Sequence, residues 1–195
     1  MKNNILTLTL VIMNLALCGY IYMMGDKIQE SANDDKMQRM LNMIAYDKSL
    51  EIKFNGQSID GEIGLETKDG EQMSLMEATR DDKMLVARYA DINCNSCVDT
   101  LMTHLAKKYA DIGEGRIVVL SNYGSRRDYI NFIRINGLDF EIYNLSAPLC
   151  DADSLNVPYM FILEGNKKIN DFFIPRKEYP RGIDEYLEFA KKILE

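Results

Sequence analysis

The sequence predicts an α/β fold in which a mixed central sheet carries helices on both faces, preceded by an N-terminal apolar helix. Three observations predict it. Short buried-strand patterns alternate with helical ones from residue 84 onward, a pair of strands and a helix close the chain, and an almost unbroken apolar run from Ile5 to Met24 stands in front.

With 195 residues the chain is long enough for one globular domain with an appendage. Its formal charge is −7, and no run of Lys or Arg interleaves with aromatics, so a nucleic-acid partner is not expected. A single His removes most metal-enzyme and triad readings. The reading divides the chain into an anchor (1–25), a helical linker or stalk (26–49) and a globular domain (50–195).

The run ILTLTLVIMNLALCGYIYMM is about 20 residues, enough to cross a bilayer core as one transmembrane helix. A cleaved signal would have a shorter core and a small-residue site, yet this run continues to the first charge beyond it at Asp26, so an uncleaved signal anchor is expected. Lys2 before the run and Asp26 after it place the body of the protein outside the cytoplasm, on the periplasmic side if the cell is Gram-negative. Cys18 follows Leu15-Ala16-Leu17 as at a lipoprotein cleavage site, but Leu17 is larger than such sites prefer, and an ordinary membrane-embedded Cys is the expectation. From Asp26 to about Asp47, Met37, Met40, Leu41 and Ile44 recur at helical spacing, either in a stalk or in a helix lying against a surface.

Glu51 to Phe54 reads as a strand ending in Asn55-Gly56, and Ile63 to Thr67 as a second running into Lys68-Asp69-Gly70; a leading hairpin is expected. Ser74 and Glu77 form the capping-box pattern of a helix start. Met84 to Ala90 is a mostly buried strand, and Val98, Leu101, Met102, Leu105 and Tyr109 mark a helix to about Ala110. Arg116 to Ser121 is another strand, Ser125 with Asp128 opens a helix, and Phe140 to Leu145 is a strand again. Tyr159 to Leu163 and Ile169 to Ile174 flank Glu164-Gly165-Asn166-Lys167 as a hairpin, and a helix with Ile183, Tyr186, Leu187, Ala190 and Leu194 on one face ends the chain.

Cys94-Asn95-Ser96-Cys97 sits where the strand pattern stops and the helical pattern begins. Two thiols at this spacing close a disulfide across the first turn of a helix, and the unpaired N–H groups there favour a thiolate on the first. Cys94 is the expected nucleophile and Cys97 its resolving partner. A CxxC pair is also half of a tetrahedral zinc site, but no second pair exists, and no metal is expected. His104 lies two turns beyond Cys97, too far to act on the thiol, and is read as structural. Asp91 is either a proton-transfer aid to Cys94 or a solvated loop acid; Cys150 is either a third redox thiol or a small buried Cys.

Taken together, these residues resemble the thioredoxin-like superfamily, and more narrowly its membrane-anchored, extracytoplasmic thiol:disulfide oxidoreductases of the TlpA/ResA type. The resemblance covers about Leu50 to Glu195 and includes Val157-Pro158 before a strand. It implies a thioredoxin-like fold, disulfide exchange by Cys94 and Cys97 with no further cofactor, protein disulfide or dithiol substrates, and an upstream electron donor. It also implies a cis Val157–Pro158 bond lying against the CxxC, with the preceding backbone free to bind an extended substrate. The chain departs from the family pattern in having Asn93 where Trp is usual, Asn95-Ser96 where Pro is common, and Arg88 where an acid is often buried. Asn95 and Ser96 thereby become modulators of substrate contact and potential. Arg88 either points inward, where its charge favours thiolate, or reaches solvent or a salt bridge near the sheet edge.

The expected function is that of a membrane-tethered reductase of partner-protein disulfides. The alternative is a non-catalytic binding module, such as a copper(I)-handling protein, since soft thiolates suit copper(I). Copper proteins of the Sco type use a longer Cys spacing and a distal His, and peroxiredoxins a Thr-x-x-Cys setting; neither pattern is present.

Overall fold

The computed structural model describes the backbone of residues 2–80, 82–113, 115–136, 140–165 and 167–195, with side chains for all of these except 2–12, 25–28 and 30–32. The chain divides into two compact units, Met1–Lys48 and Ser49–Glu195. Helix α1 (Lys2–Phe54) makes up the first and lends its last residues to the second. Among the described residues no helix is long and apolar enough to cross a membrane. The expected transmembrane run falls partly on side chains outside the described ones.

Glu51 to Phe54 is the end of this helix, not a strand. Leu50 and Phe54, four residues apart, share one helix face and are buried, while Ile52 between them is 73% exposed. Asn55-Gly56 therefore stops a helix: Asn55 N–H bonds Glu51 O at 2.9 Å, and Gly56 takes a φ of +81°, a conformation glycine adopts without a Cβ penalty. The leading hairpin forms one strand later, between β1 (Gly64–Glu66) and β2 (Gln72–Ser74), with Leu65 opposite Met73. Its turn runs through Lys68-Asp69-Gly70, with Thr67 N–H on Glu71 O at 2.9 Å and Gly70 at φ +90°. Helix α2 (Leu75–Thr79) opens on the expected capping box: Glu77 N–H bonds Ser74 Oγ at 3.2 Å and Ser74 N–H bonds the Glu77 carboxylate at 2.6 Å.

Strand β3 (Met84–Arg88), helix α3 (Asn95–Ile112), strand β4 (Ile117–Ser121), helix α4 (Arg126–Asn136) and strand β5 (Ile142–Leu145) follow. A 3-10 turn (Asp151–Leu155), the hairpin β6 (Tyr159–Leu163) and β7 (Ile169–Phe173), and helix α5 (Pro180–Leu194) complete the chain. The seven strands lie in the order β2-β1-β5-β4-β3-β6-β7. β3 is an interior strand, parallel to β4 and antiparallel to β6, with Arg88 opposite Tyr159. Every residue of β3 is buried, as a strand covered on both faces requires. Met84 and Val86 face a core shared with the end of α1, α2 and the 3-10 turn, whereas Leu85 and Ala87 face a core shared with α3, α4 and α5. Full burial of a residue such as Leu85 or Val86 contributes about 1.5–3 kcal/mol relative to exposure. A well-filled sandwich on either side of β3 thus fixes where its C-terminal end emerges.

Candidate active site

Beyond Arg88 the chain keeps bonding to the neighbouring strand for a few residues, through Tyr89 N–H to Leu120 O at 3.1 Å and Asp91 N–H to Asn122 O at 3.0 Å. Asn93 then clasps the turn. Its N–H donates to Ala90 O at 3.0 Å, and its side-chain carbonyl accepts from Ala90 N–H at 2.8 Å. Buried to 6% exposure, the Asn93 amide satisfies a backbone donor that would otherwise be costly to bury, so the residue replacing the usual Trp braces the motif from within.

Cys94 is the N-cap of α3, and its carbonyl accepts from Cys97 N–H at 2.9 Å and Val98 N–H at 3.1 Å. Its thiol is exposed, and all four cysteines are unpaired. Ser96 Oγ lies 3.1 Å from Cys94 Sγ. Lys177 Nζ, from the loop after β7, lies 3.9 Å from the sulfur and 3.1 Å from Ser96 Oγ. The Cys97 thiol, the Ser96 hydroxyl and the Cys97 N–H all favour charge on this sulfur, with Lys177 behind them, and hold the Cys94 thiol down to about 7. The Cys97 N–H bonds the carbonyl of Cys94 and reaches its sulfur as a dipole. Half-buried Cys97 is pushed up to about 11, by burial first and then by Cys94 beside it. The pair is thus polarised into an exposed sulfur ready to carry charge and a shielded one that holds its proton.

The remaining sequence-predicted residues are distributed unevenly around this pair. Asn95 and Ser96 form the first turn of α3, both exposed. Asp91 is exposed, and Lys177 acts on both thiols, with Glu178 and Cys94 acting on Cys97. Arg88 points inward, at 2% exposure, and does not sit at a sheet edge. Its guanidinium bonds Asp153 Oδ2 at 2.9 Å and the carbonyl of Tyr89. Of the two alternatives Arg88 takes the inward one, but it shares the β3 face of Met84 and Val86, whereas Val98 and Leu101 of α3 pack on the other, so its charge does not fall on the face of α3. His104 Nδ1 pairs with Asp184 Oδ1 at 2.6 Å and joins α3 to α5, a structural role.

The Val157–Pro158 bond is trans, and no peptide bond among the described residues is cis. The expected cis geometry is thereby corrected. Asn156, which ends the 3-10 turn one residue before Val157, takes a φ of +53°, and the chain enters β6 through the more favoured isomer. Pro158 is buried, and Val157 lines a cavity of about 240 Å³ together with Arg88, Ala90, Asp153 and Asn93, the residue before the motif.

Sequence reasoning missed two residues that shape the site, Lys177 and Asp153. Asp153 gathers Arg88, Leu149 N–H at 2.7 Å and the Tyr159 hydroxyl at 2.8 Å, and Tyr159 lies 3.5 Å from Cys150 Sγ. Burial pushes the Cys150 thiol up. Lys177 meets Ser96 and Asp153 meets Arg88 across more than sixty residues, so neither of these pairings carries a local signal.

No protein-family model matches this chain, and neither does any curated protein. Solved structures do. A candidate electron transfer protein from Aquifex aeolicus VF5 superimposes with a TM-score of 0.53 at 15% identity, covering 72% of this chain and 94% of that one. A candidate thiol:disulfide interchange protein, DsbE, from Chlorobium tepidum superimposes with a TM-score of 0.50 at 17% identity, covering 70% of this chain and 97% of that one. At such identities the likeness is one of fold. The chain has a thioredoxin-like fold, and its CxxC stands at the start of α3.

Proposed function

We propose that this protein is a membrane-tethered, extracytoplasmic thiol:disulfide oxidoreductase that reduces disulfides of partner proteins. The observation that carries the reading is the polarised pair, an exposed Cys94 thiol at the N-cap of α3 beside a half-buried Cys97. The Cys94 thiolate attacks one sulfur of a substrate disulfide, forming a mixed disulfide as the substrate S–S bond breaks and the first substrate thiolate leaves to take a proton from water. Cys97 loses its proton to water and attacks Cys94 Sγ. The Cys94–Cys97 disulfide forms, the second substrate thiolate leaves and is protonated, and two electrons have passed to the substrate. An upstream dithiol donor restores the pair. The backbone at Val157, which shares a cavity with Asn93 just before the motif, is the proposed edge for the substrate chain. The tether is proposed on the hydropathy of Ile5 to Met24.

An insulin-reduction assay on the full chain, paired with the reduction potential of the Cys94–Cys97 couple, tests the activity. Catalysis with a potential near or below about −270 mV, that of thioredoxin, is expected. Absence of catalysis together with tight copper(I) uptake would replace it with the binding-module reading. Fractionation tests the tether: intact full-length protein recovered in the soluble fraction after lysis would remove the anchor.

A further inference from the structure

Ser96 and Lys177 add to Cys94 something that disulfide exchange does not itself require. Lys177 Nζ is 3.1 Å from Ser96 Oγ, and Ser96 Oγ is 3.1 Å from Cys94 Sγ, while the direct Lys177–sulfur distance is 3.9 Å. An ammonium group donates hydrogen bonds and accepts none. The serine oxygen therefore accepts from Lys177, and its single hydrogen is left for the sulfur. A neutral thiol is a weak acceptor, whereas a thiolate takes a charge-assisted bond. Once Cys94 is deprotonated the chain runs one way, from Lys177 through the Ser96 hydroxyl to the sulfur, and that arrangement favours the thiolate.

The surroundings hold both members in place. Thr100 Oγ1 donates to Ser96 O at 2.7 Å and fixes the first turn of α3. Lys177 is itself exposed, but its loop is pinned by buried Ile174 and Pro175 on one side and by the start of α5 at Pro180 on the other.

We propose that Lys177 is a positioning residue that acts through Ser96, aiming the serine hydroxyl at the Cys94 thiolate and so setting the acidity of the nucleophile and the redox poise of the pair. The proposal rests on the exchange reading. When Cys94 is bonded to a substrate or to Cys97, its sulfur carries no charge and the chain loses its acceptor. The relay thus stabilises only the dithiol form, and its loss makes the couple more reducing at pH values above the acidity of Cys94.

The test is the pH profile of Cys94 alkylation by iodoacetamide, read site by site by mass spectrometry on the full chain in detergent. Ser96→Ala and Lys177→Met should each raise the midpoint by about one unit. Alkylation at pH 6 should slow about threefold, because the more basic thiolate is also the more nucleophilic one. Lys177→Arg, which keeps the donor, should stay near the parent. In the Ser96→Ala background Lys177→Met should add little, since the two residues form one chain. An equal Lys177→Met shift with and without Ser96 would overturn the relay in favour of a diffuse charge effect, and no shift at all would overturn it outright. These midpoints need no turnover, so a parent protein that fails to reduce insulin overturns the exchange reading separately.

Discussion

Cys94 and Cys150 occupy matching positions, each the residue before a helical segment, yet the two sulfurs are driven in opposite directions. Cys94 caps the 18-residue α3, and its thiol is exposed and held down to about 7. Cys150 caps a five-residue 3-10 turn, is half-buried, and is pushed up, chiefly by burial. A long helix sums its peptide dipoles and directs free N–H groups toward the cap, while a single tight turn offers little of either. The polar partners differ as well. Cys94 has a hydroxyl and an ammonium group at hand, whereas the Tyr159 hydroxyl 3.5 Å from Cys150 donates to Asp153, whose carboxylate opposes a thiolate and pairs with the charge of Arg88. A cap position favours a reactive cysteine only where the sulfur also keeps solvent and donors.

The contrast is broken most directly by removing the exposed sulfur. Cys94→Ser should lower disulfide reduction at least about a thousandfold, while Cys97→Ser should still attack and accumulate mixed disulfides. Insulin turnover and intact-mass analysis read the two outcomes, and a Cys94→Ser protein as active as the parent would place the chemistry elsewhere. Alkylation sharpens the contrast between thiols. With one thiol at about 7 and the other at about 11, Cys94 should react at pH 7 about a hundredfold faster than Cys97, after allowing for the greater nucleophilicity of the more basic sulfur. The sign is fixed by the lowered value: Cys94 reactivity climbs as pH rises through about 7 and then levels, while Cys97 and Cys150 continue to gain at higher pH. Equal labelling of Cys150 and Cys94 at pH 7 would abolish the distinction.

Asp153→Ala probes the buried side. It leaves Arg88 buried without its counter-charge and removes the acceptor of the Leu149 N–H and the Tyr159 hydroxyl, a cost of about 3 kcal/mol. A urea midpoint equal to that of the parent would contradict the buried pair. The smallest effect belongs to Cys150→Ser, which should stay within about twofold of parental exchange activity. A larger loss would make Cys150 a third redox thiol.

Much of the fold was legible because helix and strand periods are local. The strand from Met84, the helix carrying Val98, Leu101 and Leu105, and the closing hairpin and helix each bury the residues their spacing selects. Glu51 to Phe54 is ambiguous in sequence since four residues cannot separate the two periods, and Asn-Gly serves a helix stop as readily as a hairpin. Strand β2 is three residues long, too short to show alternation. The trans bond at Pro158 is not legible for another reason: nothing in the Val157-Pro158 dipeptide announces the isomer, and the left-handed Asn156 before it is set by the end of the 3-10 turn.

By itself the sequence determined that a CxxC would stand between a buried strand and an amphipathic helix, which specifies a dithiol at a helix start. Only the tertiary structure decided which charges meet which sulfur. Arg88 was carried to Asp153 and away from the motif, and Lys177 was brought to Ser96 from a loop at the other end of the domain. The physical reason is range. Periodicity acts over a few neighbouring residues, whereas the acidity of a thiol depends on solvent and dipoles within a few ångströms, and here those come from segments that only folding brings together.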